Sequence, residues 1–411
     1  MKTDWDIIVA GGGPAGFYAA IRCAELNPNL KVLILEKAKQ TLSKVIVSGG
    51  GRCNVTHACF DPARLVTFYP RGANELRGAF TRFQPRDTVE WFEMRGVKLK
   101  TEADGRIFPA TDDSNTIADC LRSAATSAGV EVWEHVRLGK VDRNQDGSFQ
   151  LTVQMHRDVF MHLRAGQLLL ATGSDRKTLE ITKSFGHTII DLVPSLFTFN
   201  VQDERIKGLE GVSVASVSLT MDSLSTHGAL LITHWGLSGP AVLRLSAWGA
   251  RELYEKNYRA EITINWLDEY SFEKALDVLQ RNKAWKDNAR KKLSSHAAFS
   301  QIPLRLWKKL VEFIGDKNWA DVSKEELRKL AKELTTGTFT IHGKGIFKEE
   351  FVTCGGVALN EVDFKTMQSR IVKGLFFAGE ILDIDGVTGG FNFQASWTTG
   401  WIAGCAMGAT G

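Results

Sequence analysis

"DIIVAGGGPAGFYAAIRCAEL", residues 6–26, is the stretch that decides the fold. Residues 6–10 read as a short apolar strand, and the alanine-rich segment 15–26 reads as a helix that stops near Pro28. Between them Gly11, Gly13 and Gly16 fit the spacing G-x-G-x-x-G. Each glycine has its own task in a strand–turn–helix unit. The first permits the tight turn, the second lets a pyrophosphate approach the backbone, and the third lets helix and strand pack closely. The helix start, Pro14 and Ala15, then offers unpaired N–H groups and a positive dipole end to phosphates. A second strand, "KVLILEK" (31–37), follows. Its Glu36 lies 20 residues beyond Gly16, the offset at which a carboxylate receives the adenosine ribose hydroxyls. An acid there, rather than an arginine, points to FAD or NAD over NADP. Lys37 beside it joins the candidate cofactor contacts.

Working outward, "KVIVSGGGRCNVTH" (44–57) carries three consecutive glycines. Glycine loses more backbone freedom on folding than any other residue, so a run of three implies that something approaches this backbone closely. Ser48, Gly50 and Gly51 are read as lying against the cofactor, where side chains would block it. Arg52 can offer fixed donors to phosphate or to a ring edge. Lys44 adds positive charge, and Asn54 can both donate and accept. Cys53 has two readings: a thiol activated beside the arginine, acting on a bound intermediate, or a small buried residue that fits.

The far end supplies a matching half. In "GLFFAGEILDIDGVTGGFNFQASWTTGWIAGCAMG" (374–408), residues 375–378 read as a strand. An acidic turn (Gly379, Glu380, Asp383), the pair Gly389–Gly390 and a helix from Phe391 and Asn392 follow. Carboxylates can accept from ribityl hydroxyls, and a helix N-terminus stabilises negative charge on a reduced ring. A buried strand in "FMHLRAGQLLLATGS" ends at Ala171, Thr172 and Gly173, which join the candidates, as does Val136.

Between these ends the texture changes. "VPSLFTFNV", "VSVASVSLTM", "GALLITHW" and "AEITINWL" are β-rich, and residues 271–335 switch to helices. The sequence therefore predicts an FAD-binding domain at 1–194, an inserted β domain at 195–270, an inserted helical domain at 271–335 and a return to the FAD domain at 336–411. In "PLRLWKKLVEFIG", Leu306, Leu310, Phe313 and Ile314 share one helical face. No second strand–GxGxxG–helix unit is found. Gly343–Gly345 is followed by Lys348 where the third glycine would stand. NAD(P)H, if used, is then a transient co-substrate.

With 411 residues, 44% apolar and 24% charged, the chain has the composition of a soluble multi-domain protein. Its start lacks an apolar signal-peptide core, no run approaches the ~18 residues of a membrane span, and the six cysteines form no C-x-x-C pair. A cytoplasmic setting with free thiols is expected, with no membrane and no metal site. The net charge of +4 does not call for nucleic acid. Locally, however, residues 281–310 hold nine basic residues and one acid. That run is read as the solvated face of a helical segment covering the cofactor cleft rather than as an RNA platform. His234, after an inserted strand, is a candidate acid–base group, alongside a plain structural reading. Cys354 before Gly355–Gly356 has two readings, a place near the cofactor or plain close packing.

Several stretches together resemble one family. They are "SGGGRCNVT" (48–56), "GRIFP" (105–109), "GLSGPA" (236–241), "CGGV" (354–357), "TMQS" (366–369) and "AGEILDIDGVTGGFN" (378–392). In order, they are similar to a family of bacterial flavoproteins with aminoacetone oxidase-like and bile-acid-reductase-like members. The resemblance implies an α/β, Rossmann-like FAD domain built from both chain ends and interrupted by a β-barrel-like domain and a small helical domain. It also implies non-covalent FAD and FAD-dependent oxidoreduction. Many relatives carry a longer glycine- and serine-rich stretch after the "ATGG" strand. Here it is "ATGSDRKTLEITKSFGHTI" (171–189), with Ser174 for the second glycine, so contacts placed there do not carry over. The expected activity is hydride transfer between flavin and an unidentified small substrate, with NAD(P)H or O2 as the other partner. The alternatives are a nucleic-acid-linked flavoprotein serving RNA modification, and an FAD-holding protein without turnover.

Overall fold

In the computed structural model the first strand, Asp4–Ala10, runs between two parallel neighbours, Val32–Leu35 and Val159–Leu170. Its last four residues are buried, as are all four of Val32–Leu35, which is why both read as nearly unbroken apolar runs. The structure describes residues 3–156, 159–345 and 352–409. Leu375–Phe377 pairs parallel with Val159–Leu170 on one side, and Glu131–Trp133 pairs parallel with Val32–Leu35 on the other. The parallel core of this nine-stranded sheet thus runs 131–133, 32–35, 4–10, 159–170, 375–377. The strand order reverses between 4–10 and 159–170. In open α/β sheets that reversal, at the carboxyl ends of the strands, is where a ligand crevice opens.

Two helices are held together by small residues. The helix Pro14–Leu26 packs along the helix Phe391–Gly408, whose Gly400, Gly404 and Gly408 face the backbone of Ala15, Ala19 and Cys23. A methyl added at Gly400 would lie 2.5 Å from the Ala15 carbonyl oxygen, and one at Gly404 2.5 Å from that of Ala19. The chain's two ends are therefore joined through glycines spaced one helical turn apart.

The described residues form two units, Met1–Leu192 with Thr353–Gly411, and Val193–Val352. The second contains a closed antiparallel barrel in the order 199–201, 236–238, 224–233, 213–221, 260–265, 337–344. Residues 195–270 and 271–335 were expected to be separate domains, with the first domain resuming at 336. Instead, Gly337–Lys344 is the barrel's closing strand, paired with both Ala260–Asn265 and Phe199–Val201. The helices share its core: Leu219, Ile264 and Phe339 from strands cluster with Leu279, Trp307, Trp319 and Leu330 from helical segments. The helix expected through Ile314 ends at Leu310 and gives way to a 3-10 turn, Glu312–Ile314, which leaves Phe313 53% exposed. Lys348 lies outside the described residues. All six cysteines are free, and among the described residues no helix is long and apolar enough to cross a membrane.

Candidate cofactor site

The residues flanking the strand reversal are the glycines singled out from sequence. Gly11 has φ +111°, a conformation that favours glycine, and a Cβ there would collide with the Ala171 carbonyl. At Gly13 a Cβ would meet nothing within 4 Å. At Gly16 it would strike the Gly11 carbonyl oxygen and crowd Val9. Turn, open approach and helix–strand packing thus fall on the first, second and third glycines in that order. Glu36 closes the far side: Oε2 accepts from the Gly12 amide at 2.9 Å and Oε1 from the Ala38 amide at 2.7 Å. A carboxylate has about four acceptor positions, so two remain for other donors. The Val136 amide donates to the Glu36 carbonyl at 2.8 Å, which puts Val136 at the same corner. Lys37 is turned to Asp175 in an ion pair.

Three features fit a bound dinucleotide. The helix Pro14–Leu26 starts after Gly13 with no side-chain cap, and Phe391–Gly408 starts after Gly390 likewise uncapped, so the first-turn N–H groups of both are available to an anion. Thr172 Oγ1, at the end of Val159–Leu170, is buried with no hydrogen-bond partner among the described residues. A buried hydroxyl without a partner costs free energy unless a ligand supplies one. Gly50 and Gly51, with φ +69° and +83°, would bring an added Cβ into open space.

The glycine loop is tied to the C-terminal half. Lys44 forms an ion pair with Glu380, and Gly173 lies beside it, its Cβ position 3.6 Å from Glu380 Oε2 and 3.8 Å from Lys44 Nζ. With its amide oxygen turned toward Gly390, Asn54 accepts from the Gly390 amide at 2.9 Å and donates to the Thr56 carbonyl at 3.0 Å. Ser48 Oγ donates to the Val45 carbonyl at 2.8 Å. Gly379 has φ +75°, and its amide donates to Thr399 Oγ1 at 3.0 Å.

Other candidates are engaged within the protein. The Arg52 guanidinium bonds Glu102 at 2.7 Å and lies 4.1 Å from the Phe108 ring centre, because two acids, Glu102 and Asp112, stand within its reach. Asn392 clamps its own turn, accepting from the Gly386 amide and donating to the Gly386 carbonyl, both at 2.8 Å. Asp383 accepts from the Gly355 amide at 2.8 Å. Cys53 is fully buried, and desolvation pushes its thiol up to about 12 despite a hydrogen bond with Ser48. A thiol held protonated is a poor nucleophile, so the geometry favours the packing role. Its φ is +59°, one residue beyond Arg52, which interrupts the positive-φ run Gly49–Gly51 with a φ of −98°. His234 is on the other unit, exposed in the turn between two barrel strands, and lines a concavity of about 490 Å³ with Glu210 and Trp235. Among the described residues no His, Cys, Asp and Glu group could hold a metal ion.

Two features escape the sequence. Asp385 is fully buried and bonds the Arg71 guanidinium through both oxygens, fastening the 383–390 turn to a segment 314 residues away. His57 stacks on Phe391 (4.8 Å, 22°), which stacks in turn on Phe68 (4.3 Å, 11°), while His57 Nε2 lies 3.1 Å from the Asp104 carbonyl. His57 ends the quoted glycine stretch, so its position beside the loop was legible, but its stacking on the C-terminal helix was not.

A strand reversal lined by such a glycine cradle defines a dinucleotide-binding Rossmann protein. The family model of the HI0933-like protein Rossmann domain matches residues 5–406, and the chain belongs to that FAD-binding Rossmann family. The ribosomal RNA dihydrouridine synthase of Escherichia coli (strain K12) is 27% identical, the match covering 98% of this chain and 97% of that protein. The 3-dehydro-bile acid delta(4,6)-reductase of Clostridium scindens is 26% identical, covering 97% of this chain and 98% of that protein. Among solved structures, 3-ketosteroid-delta4-(5alpha)-dehydrogenase from Rhodococcus jostii RHA1 shares the fold with a TM-score of 0.56 at 15% identity, covering 99% of this chain and 97% of that one.

Proposed function

We propose that this protein is an FAD-dependent reductase acting on a carbon–carbon double bond conjugated to a carbonyl group. The observation that carries the FAD part is the pair of uncapped helix starts, at Pro14 and Phe391. The reaction part rests on the names of two full-length relatives. One acts on uridine, whose C5=C6 bond is conjugated to a ring carbonyl, and the other on a 3-dehydro bile acid. FAD, if held there in its reduced form, would supply the hydride to the β-carbon of such a bond, with a proton for the α-carbon from a protein group or water and NAD(P)H as the proposed source of the electrons.

The chain's own residues divide the remaining work. Gly11, Gly13 and Gly16 with the first-turn amides of Pro14–Leu26 hold the pyrophosphate, and Glu36 holds the adenosine ribose. Thr172, Gly173, Lys44 and Glu380 face the ribityl part, and the first-turn amides of Phe391–Gly408 stabilise negative charge on the ring.

The test is direct. The purified protein should be yellow and release FAD on acid denaturation. Under anaerobic conditions NADH or NADPH should bleach it, and an enone or a uridine-containing RNA should restore the colour. Colourless protein that fails to take up FAD, or FMN alone in the extract, would sink the cofactor assignment. Bleached protein that no conjugated double bond reoxidises would sink the reaction.

A further inference from the structure

The basic run at 281–310 takes on a different meaning once its side chains are placed. Three of its nine cations are committed to acids: Arg281 to Asp277 at 2.8 Å, Lys292 to Asp316 at 2.8 Å and Lys309 to Glu312 at 3.1 Å. Lys283 and Arg305 donate to the carbonyls of Val322 and Gly208. Lys286, Arg290 and Lys291 have no carboxylate within ion-pair distance among the described residues, and all three are exposed. They follow directly on Trp285, at the end of the helix Phe272–Ala284.

Trp285 is 63% exposed, while Trp266, Trp307 and Trp319 of the same unit are fully buried. Its Nε1 donates to Asp287 Oδ2 at 3.2 Å, which leaves the ring face uncovered by that bond. The segment carrying it is firmly placed. The Trp319 amide donates to the Lys291 carbonyl at 3.0 Å, Ala320 to Ala289 at 3.2 Å, and Leu293 to Lys317 at 3.0 Å. Asn288 and Leu293 are buried beneath it. Lys291 Nζ donates to Asn288 Oδ1 at 2.9 Å, so its charge is placed but not neutralised. A firmly placed segment thus presents an exposed indole beside cations that have no carboxylate partner. His296 feels the same field: burial first, and then Lys291, hold its imidazole below the usual histidine range.

We propose that the Trp285 segment is a docking face for single-stranded RNA. An unpaired base stacks on the indole, and neighbouring phosphates lie on Lys286, Arg290 and Lys291. Cations alone would serve any polyanion. The added aromatic face is the part that matches a base, because every base presents a π surface to stack on. This rests on the reductase reading and names the macromolecule that would carry its double bond.

The test uses the full-length flavin-loaded protein and a fluorescein-labelled oligouridylate, read by anisotropy across a salt series. Three phosphate contacts at about 0.7 each give an expected slope of log K against log salt near −2. Trp285→Ala should weaken binding about tenfold. The triple variant K286A/R290A/K291A should flatten the slope toward zero. Flavin content and thermal midpoint, measured on each variant, confirm that it is folded. Wild-type protein that does not bind the oligonucleotide overturns the proposal, as does binding that neither variant changes. Binding to phosphatidylglycerol vesicles in place of RNA overturns it in favour of a membrane surface. Failure of the reductase reading shows separately, as bleached protein that no enone or uridine reoxidises.

Discussion

The two units solve opposite packing problems. In the first, helices meet on glycine: Gly400, Gly404 and Gly408 lie against Ala15, Ala19 and Cys23. In the second, strands and helices meet on tryptophan: Trp266, Trp307 and Trp319 are fully buried in one core. The helix starts differ in the same sense. Pro14–Leu26 and Phe391–Gly408 begin after glycines with no side-chain cap. Phe272–Ala284 begins after Ser271, and Lys324–Thr336 after Ser323, whose hydroxyl and the Glu326 carboxylate form a reciprocal capping box. The contrast concerns these four helices: Pro240–Trp248, Ala250–Glu255 and Leu304–Leu310 of the second unit start without a side-chain cap, and Arg176–Ser184 of the first is capped by Asp175. Small residues bring backbones close and leave polar groups open for a ligand. Large residues and capped starts leave fewer backbone groups open. A ligand bound at the open starts of the first unit would add to that unit's stability.

The largest effect should come from the second core. Trp307→Ala removes a buried indole and its hydrogen bond to the Leu293 carbonyl (2.7 Å), and should cost about 3–5 kcal/mol. Denaturant unfolding followed by tryptophan emission should shift, while flavin stays bound at low denaturant. Loss of flavin in step with that transition would show that the two units unfold together. Next comes Glu36→Ala, which takes away the acceptor of the Gly12 and Ala38 amides along with the ribose contact. With charge-assisted hydrogen bonds worth about 1.5–3 kcal/mol each, FAD affinity should fall at least tenfold in a titration of the apoprotein. An unchanged dissociation constant in a folded variant would mean the ribose lies elsewhere. The smallest effect is Ser323→Ala, about 1 kcal/mol from one lost cap. It should lower the stability of the second unit and leave FAD affinity alone. A change in affinity here would blur the distinction between the units.

What was legible in the sequence follows from range. Gly11, Gly13, Gly16 and Glu36 lie within one strand–turn–helix–strand unit, so their spacing carried their placement. The helix start at Phe391 was readable for the same reason. Arg52 was not: its partners Glu102 and Asp112 come from a distant segment, and an arginine in a glycine loop looks free until they arrive. The closing strand Gly337–Lys344 alternates like any strand, but nothing local says that it pairs with Phe199–Val201. The glycine stripe of the last helix looked like weak helix propensity, because its meaning lies in the backbone of residues 15–23. Trp285 was one of eleven tryptophans, and only its exposure sets it apart.

The nesting of one unit inside the other also sets an order of birth. Residues 193–352 are contiguous, whereas the first unit is split across both ends of the chain. During synthesis the barrel's last strand ends at Lys344, while the helix that Ala15 and Ala19 pack against is complete only at Gly408. At ~5–20 residues per second, that gap lasts roughly 3–13 s. Through that interval the inserted unit can close while the earliest-made helix still shows its small-residue face to solvent. A helix made before the barrel is thus packed only after the barrel is complete, and its small-residue face is the surface a chaperone would cover in between.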